Sequence, residues 1–144
     1  MKRITILGST GSIGQQTLDV VRNGRDRYAV EALACHSNTG LLERQIAEFG
    51  VKTAAVFDPG RARELKQKTG IDVLSGIEGI IEVAARDRAD LVLNALVGSI
   101  GIGPTVAAIE NGIPVALANK ETLVSAGEIV MGLARKRGLS LIHI

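Results

Sequence analysis

Short apolar runs alternate along the chain with longer segments in which apolar residues recur every three or four positions. Short runs such as Leu91-Val92-Leu93 are typical of strands that are covered on both faces of a sheet, and the longer amphipathic segments are typical of helices. Strands are therefore predicted at residues 4–7, 28–34, 53–57, 72–74, 90–96 and 114–118, and a further strand begins at residue 139.

Helices are predicted between these strands, and several of their ends carry capping signals. Asn38 or Thr39 can cap the second helix, and Asp58 before Pro59 opens the third. Strict alternation of strand and helix, without an internal repeat or a linker, predicts right-handed crossovers in a mostly parallel sheet. We expect one doubly wound α/β domain of three layers over residues 1–144. The predicted helices lie at about residues 13–22, 39–49, 60–69, 76–86, 104–111 and 121–137.

The composition excludes several classes of function. Hydrophobic residues make up 46% of the chain and charged residues 22%, which fits a domain with a buried core. Aromatic residues make up only 2%, and the net charge is +2, so we expect no nucleic acid partner. The densest basic cluster, Arg135-Lys136-Arg137, lies at a predicted helix end, where cations favour the helix dipole.

The sequence is expected to belong to a cytoplasmic protein. Its single cysteine, Cys35, cannot form an internal disulfide, which fits a reducing compartment. The apolar run after Lys2-Arg3 ends at Gly8, too early for a signal peptide. No run approaches the roughly 18 apolar residues of a membrane helix, so we expect no membrane partner.

Three glycines, Gly8, Gly11 and Gly14, lie between the first predicted strand and the first predicted helix. This spacing and placement indicate the dinucleotide turn of a Rossmann-like domain, although a plain strand-to-helix turn is the alternative. The first glycine permits the sharp turn, the second lets a pyrophosphate approach the backbone, and the third lets the helix pack on the sheet. Amides at the helix N-terminus would bind the anion. Hydroxyl donors are added by Ser9, Thr10 and Ser12.

The end of the second predicted strand distinguishes between cofactors. NAD-specific domains commonly place a carboxylate there for the ribose 2′-hydroxyl, whereas this chain has His36, Ser37 and Asn38. The absence of a carboxylate at these positions favours NADP, because no negative charge repels a 2′-phosphate. His36 is either a phosphate contact or a solvated loop residue, and Cys35 is expected to be a small buried residue.

Two further segments follow strands at the edge where such sheets bind ligands. Small residues at positions 94–101 leave room for the nicotinamide half of a dinucleotide. After the sixth strand come Asn119, Lys120 and Glu121, which either face a ligand or form a helix cap with two solvated side chains. Position alone does not decide between these two interpretations.

Four segments together resemble the N-terminal NADPH-binding domain of the 1-deoxy-D-xylulose 5-phosphate reductoisomerase family. They are GSTGSIG at 8–14, LDVV at 18–21, VG at 97–98 and LANKETLV at 117–124, and the resemblance covers essentially all of the chain. It implies a full-length homodimer that binds Mg or Mn. That enzyme rearranges its sugar phosphate substrate and reduces it with NADPH to 2-C-methyl-D-erythritol 4-phosphate, in the non-mevalonate isoprenoid pathway.

The resemblance also implies roles for individual residues. Thr10, Gly11, Ser12 and Ile13 would bind the cofactor phosphates, and Asn38 would match a cofactor-binding position on the second loop. At the far segment, Asn119 and Glu121 would contact NADPH and Lys120 would face the substrate.

The chain departs from the family pattern in two places. The triplet at 36–38 differs from the glycine followed by Lys or Ser that precedes the matching asparagine in the family. Residues 139–144 do not continue into the Pro-Val-Asp-Ser-Glu-His segment that carries the family's metal ligands. We therefore expect a truncated chain without catalytic or metal residues, which binds NADPH and is inactive alone.

Two other functions are compatible with this sequence. An NADP-dependent oxidoreductase similar to homoserine dehydrogenase shares the turn and can carry an Ala-Asn-Lys segment, but the longer motif at 117–124 argues against it. A non-catalytic NAD(P)-sensing module would need only the cofactor site.

Overall fold

The computed structural model describes residues 1–118 and 120–143, except for the side chains of Lys120 and His143. Within these residues, seven parallel strands form one sheet, and six helices connect them. The elements are β1 (Lys2–Leu7), α1 (Ser12–Asn23), β2 (Tyr28–Cys35), α2 (Thr39–Phe49), β3 (Thr53–Val56), α3 (Pro59–Thr69), β4 (Asp72–Ser75), α4 (Gly76–Ala84), β5 (Leu91–Asn94), a 3-10 turn (Ser99–Gly101), α5 (Ile102–Glu110), β6 (Val115–Leu117), α6 (Lys120–Lys136) and β7 (Leu141–His143).

The strand order β4-β3-β2-β1-β5-β6-β7 contains one reversal of direction, at β1. Strands β2, β3 and β4 lie in succession on one side of β1, and β5, β6 and β7 lie in succession on the other side. At the carboxyl end of β1, Leu7 lies opposite Ala34 of β2 and Asn94 of β5. Sheets of this kind bind ligands in the crevice at such a reversal. The Rossmann-like α/β fold predicted from the sequence is confirmed.

Helices cover both faces of the sheet and form the outer two of three layers. Successive strand residues alternate between the faces, so Ile6 packs in the cluster with α1, α2 and α3, whereas Leu7 packs with α4, α5 and α6. Both side chains are fully buried, and burial of such a side chain contributes about 1.5–3 kcal/mol. The continuous apolar strands of the sequence follow from this double cover.

Several element ends differ from the sequence predictions. β5 ends at Asn94, two residues before the predicted end. The backbone N–H of Leu96 donates to the Asn94 side chain at 3.2 Å, in place of a hydrogen bond to a neighbouring strand. α4 ends at Ala84, short of the predicted residue 86. α6 is the longest helix, as predicted, but Ala126 interrupts it with φ −142° and ψ 19°.

No helix of the described residues has both the length and the apolar character that crossing a bilayer requires.

We predict that Asp58→Ala destabilises the fold by about 1 kcal/mol, the usual effect of losing an N-cap. The Asp58 carboxylate accepts hydrogen bonds from the amides of Gly60 at 3.0 Å and Arg61 at 3.2 Å at the start of α3. Urea unfolding measures the change. Asp58→Asn is the matched control, since asparagine caps helices about equally well. Equal losses in the two variants would show that the cap does not stabilise α3.

Candidate functional site

The turn after β1 lies against the ends of both neighbouring strands. The amides of Gly8 and Ser9 donate to the carbonyl oxygen of Ala34, at 2.8 and 3.0 Å. Gly8 has φ +85°, and a Cβ there would lie 2.7 Å from the carbonyl oxygen of Ala95, just beyond β5. Position 8 therefore requires glycine for its backbone angle and for its space.

Helix α1 packs directly on this turn. A Cβ on Gly14 would lie 2.2 Å from the carbonyl oxygen of Gly8 and 2.6 Å from the Cα of Ser9. Both neighbours are backbone atoms, so they cannot move aside as a flexible side chain does. The helix reaches its position only because residue 14 has no side chain.

The amino end of α1 has no side-chain cap, in contrast to the next two helices. Gly11 is its N-cap residue, and no side chain accepts a hydrogen bond from the first amides. α2 is capped by Asn38 and α3 by Asp58. The first turn of α1 contains no acidic residue. Unpaired amides and the positive end of the helix dipole make this terminus suited to an anion.

A cavity of ≈ 240 Å³ opens beside this terminus, beyond the carboxyl ends of β1, β2 and β5. It lies at the reversal of strand order, where the fold predicts a ligand. Its walls are mainly small or apolar, and Gly11 is exposed on one side. The lining residues are Gly8, Thr10, Gly11, His36, Ala95, Leu96, Val97 and Ile100.

The loop after β2 forms a second wall. His36 is exposed and stacks on Phe57, with ring centroids 4.8 Å apart and planes 20° apart. Ser37 is half-buried, and Asn38 is exposed with its Oδ1 accepting from the amide of Leu41 at 3.3 Å. No pattern in the sequence singles out Phe57, which reaches His36 from just beyond the end of the neighbouring strand β3.

Of the predicted residues around α6, Glu121 lies further along the same sheet edge. Glu121 is half-buried in the first turn of α6 and does not line the cavity. Asn119 lies outside the described residues, and so does the side chain of Lys120. α6 packs against the 3-10 turn that carries Ile100.

Three buried polar residues hold the loops around the cavity, and the sequence interpretation missed their roles. The hydroxyl of Ser9, predicted as a ligand donor, is fully buried and donates to Gln45, so that prediction is wrong. Asn94 is fully buried and donates to the carbonyl oxygen of Gly101 at 2.9 Å and to the hydroxyl of Thr105 at 2.8 Å. The signal that could have revealed these roles is a polar residue type at a position that is buried in the fold.

Cys35 ends β2, and its surroundings disfavour the thiolate, which is the nucleophilic form. Its side chain is fully buried, and burial raises the pKa of the thiol to about 12. A backbone hydrogen bond from Asn38 opposes that shift without cancelling it. The prediction of a small buried residue is confirmed.

Another cavity, of ≈ 160 Å³, lies near the amino ends of β1 and β3 and is lined by charged residues. Glu31 lies between two of them, 3.6 Å from Arg3 and 3.3 Å from Arg88. This cavity lies at the edge opposite the glycine turn. Sheets of this kind bind ligands at the carboxyl edge, so the cavity there is the better candidate site.

A doubly wound α/β domain with a glycine turn, an uncapped helix terminus and a cavity at the strand reversal has the architecture of dinucleotide-binding proteins. The family model of 1-deoxy-D-xylulose 5-phosphate reductoisomerase matches residues 4–127, and the chain belongs to this family.

Relatives of this family match along the whole chain. The 1-deoxy-D-xylulose 5-phosphate reductoisomerases of Thermoanaerobacter sp. and Lachnoclostridium phytofermentans are 47% identical over 146 residues and 48% identical over 147 residues. Each alignment covers 100% of this chain and 38% of the relative. The chain thus spans well under half the length of these relatives.

Solved structures of the same family superpose closely. The Zymomonas mobilis enzyme in complex with NADPH is 37% identical, with a TM-score of 0.92 over 99% of this chain and 38% of that one. A DOX-P reductoisomerase in complex with magnesium is 36% identical, with a TM-score of 0.95 over 99% and 37%. A putative homoserine dehydrogenase of Archaeoglobus fulgidus is 23% identical, with a TM-score of 0.63 over 99% of this chain and 42% of that one. This likeness shows a shared fold alone.

We predict that Gly14→Ala destabilises the fold by about 2 kcal/mol, because the added methyl group forces backbone atoms apart. Gly11→Ala is the matched control: its Cβ would lie 3.6 Å from the carbonyl oxygen of Gly8, an ordinary contact. That variant should stay within about 0.5 kcal/mol of the original chain in urea unfolding. A stability of Gly14→Ala equal to that of the control would contradict the close packing.

We also predict that Cys35 in the folded chain reacts very slowly with Ellman's reagent at pH 8. With a pKa of about 12, roughly one thiol in ten thousand is ionised, and the thiolate is the reactive form. The chain unfolded in urea provides the control and should react completely. Complete labelling of the folded chain within seconds would refute the burial of the thiol.

Proposed function

We propose that this chain binds NADPH at the carboxyl edge of its sheet and forms the NADPH-binding domain, over residues 1–144, of a 1-deoxy-D-xylulose 5-phosphate reductoisomerase. The observation that carries the proposal is the uncapped amino end of α1 beside the cavity, with Gly11 exposed between them. The NADPH complex of the Zymomonas mobilis relative supports it.

The pyrophosphate is assigned to the amino end of α1. Gly11 leaves the backbone accessible, and the amides of Ser12 and Ile13 lie in the first turn, where the helix dipole favours an anion. The hydroxyls of Thr10 and Ser12 are donors at the same place, and neither is fully buried. Gly8 and Gly14 contribute by allowing the turn and the helix to approach each other.

The two ends of the dinucleotide are assigned to the two walls of the cavity. The adenosine 2′-phosphate would lie at His36, Ser37 and Asn38, where no carboxylate repels it and the Asn38 Nδ2 donors face no partner among the described residues. The nicotinamide would lie toward Ala95 and Ile100, whose apolar surfaces exclude water from the ring. When bound, NADPH supplies a hydride.

The residues after β6 are assigned to the same face of the domain. We propose that Asn119 and Glu121 contact NADPH and that Lys120 faces the substrate, on the match of LANKETLV to the family motif. Glu121 supports this by its place at the carboxyl end of β6, on the same sheet edge as the glycine turn.

The complete reaction is proposed for a protein of the relatives' length, and the 144 residues alone are proposed to be inactive. That protein would be a cytoplasmic homodimer that rearranges and reduces 1-deoxy-D-xylulose 5-phosphate with NADPH and Mg or Mn. Among the described side chains no three His, Cys, Asp or Glu residues are grouped as metal ligands. No metal ligand and no metal-dependent step is therefore assigned to these residues.

Titration calorimetry tests the cofactor assignment. We predict that the chain binds NADPH, that NADH binds more weakly, and that Gly11→Ala lowers the affinity for NADPH about tenfold without loss of stability. The added methyl group would occupy space that is open to the pyrophosphate, because it meets only the carbonyl oxygen of Gly8.

Gly132→Ala is the control, since a Cβ there meets nothing within 4 Å and the residue lies in α6, away from the turn. This variant should bind NADPH as the original chain does. The cofactor assignment fails if neither NADPH nor NADH binds at millimolar concentration.

A further inference from the structure

A glutamine from α2 contacts the glycine turn without lining the cavity. The hydroxyl of Ser9 donates to Oε1 of Gln45 at 2.8 Å, and Nε2 of Gln45 donates to the carbonyl oxygen of Ser9 at 2.9 Å. Ser9 is fully buried and Gln45 is 5% exposed. The two residues are 36 positions apart in sequence, so only the packing of α2 beside the turn brings them together.

Packing alone gives no reason for a glutamine at position 45. The other buried side chains of α2, Leu42 and Ile46, are apolar and belong to the core. Burial of an amide costs free energy unless its donor and acceptor are both paired. Here each amide atom bonds a different atom of Ser9, one in the side chain and one in the backbone. The interaction is therefore specific to the turn.

The second of these bonds fixes the orientation of a peptide plane that borders the cavity. The carbonyl of Ser9 and the amide of Thr10 belong to one planar peptide unit and point in opposite directions. A carbonyl held toward α2 therefore directs the Thr10 N–H away from α2. Thr10 lines the cavity, and its own carbonyl oxygen accepts from Nε2 of Gln15 at 2.9 Å.

We propose that Gln45 is a positioning residue for the pyrophosphate of NADPH: it holds Ser9 so that the amides of Thr10 and Ser12 are oriented before the cofactor arrives. The Gly11 amide is held within the turn, where it donates to the carbonyl oxygen of Gly8 at 3.2 Å. Gln45 does not line the cavity and acts through Ser9 alone. The inference rests on the proposed function, because it names the residue that prepares the NADPH site. Donors oriented in advance cost less to bind a ligand than donors that must first be ordered.

The test compares Gln45→Met with Ile46→Val. Methionine has nearly the volume of glutamine and removes both hydrogen bonds, whereas Ile46→Val removes one buried methyl group from the adjacent position without touching Ser9. Two measurements are made on each variant. They are hydrogen exchange of the Gly11 amide without cofactor, which is protected by its bond to the carbonyl oxygen of Gly8 at 3.2 Å, and the dissociation constant for NADPH.

We expect Gln45→Met to speed exchange of the Gly11 amide and to weaken NADPH binding, each by about tenfold or more, as the loss of buried hydrogen bonds implies. Ile46→Val should change both by less than about twofold. Ser9→Ala, which removes the bond from the hydroxyl only, should fall between them. This milder variant also keeps the test decisive if Gln45→Met does not fold.

The possible failures are distinguishable. Unchanged exchange and affinity in Gln45→Met and Ser9→Ala, with a lower stability alone, would show that Gln45 is a packing residue and would overturn the proposal. If the original chain binds no NADPH, the proposed function fails, while faster exchange in the variants still supports the effect of Gln45 on the turn.

Discussion

The site depends on the close approach of three backbone segments at the carboxyl end of β1. The turn comes within contact of the end of β5 at Gly8 and of helix α1 at Gly14, where an added Cβ would lie 2.7 and 2.2 Å from carbonyl oxygens. Side chains at these two positions would separate the segments. Their absence brings the uncapped end of α1, the loop after β2 and the loop after β5 to one place, and the cavity is the space left between them.

Buried amide side chains support the loops on both sides of this cavity. Gln45 bonds Ser9 in the turn after β1, and Asn94 bonds Leu96 and Gly101 in the loop after β5. Loop backbone has no ladder to pair its polar groups, so a side chain from the scaffold can pair them instead. An apolar residue could fill either position, but it would leave these loops without fixed partners.

Comparison with the structural relatives distinguishes the features that are common to the fold from those that are particular to the family. The reductoisomerase structures superpose closely on the chain, whereas the more distant homoserine dehydrogenase shares its fold alone. The doubly wound sheet and its strand reversal are common to both groups and locate a crevice. The particular chemistry depends on the residues around it, and a shared fold alone does not assign those.

The sequence by itself determined the order of strands and helices, the cap at Asp58 and the glycine turn, because periodicity, caps and turn glycines act within a few neighbouring residues. The sequence predictions missed the end of β5 at Asn94 and the interruption of α6 at Ala126, although each has a local mark: Asn94 bonds Leu96, two residues on, and Gly127 follows Ala126. Tertiary structure decided the role of Ser9. Its neighbours in sequence suggest a ligand donor, but its hydroxyl bonds Gln45, because the partner of a buried polar group is set by which helix packs against it and not by adjacency along the chain.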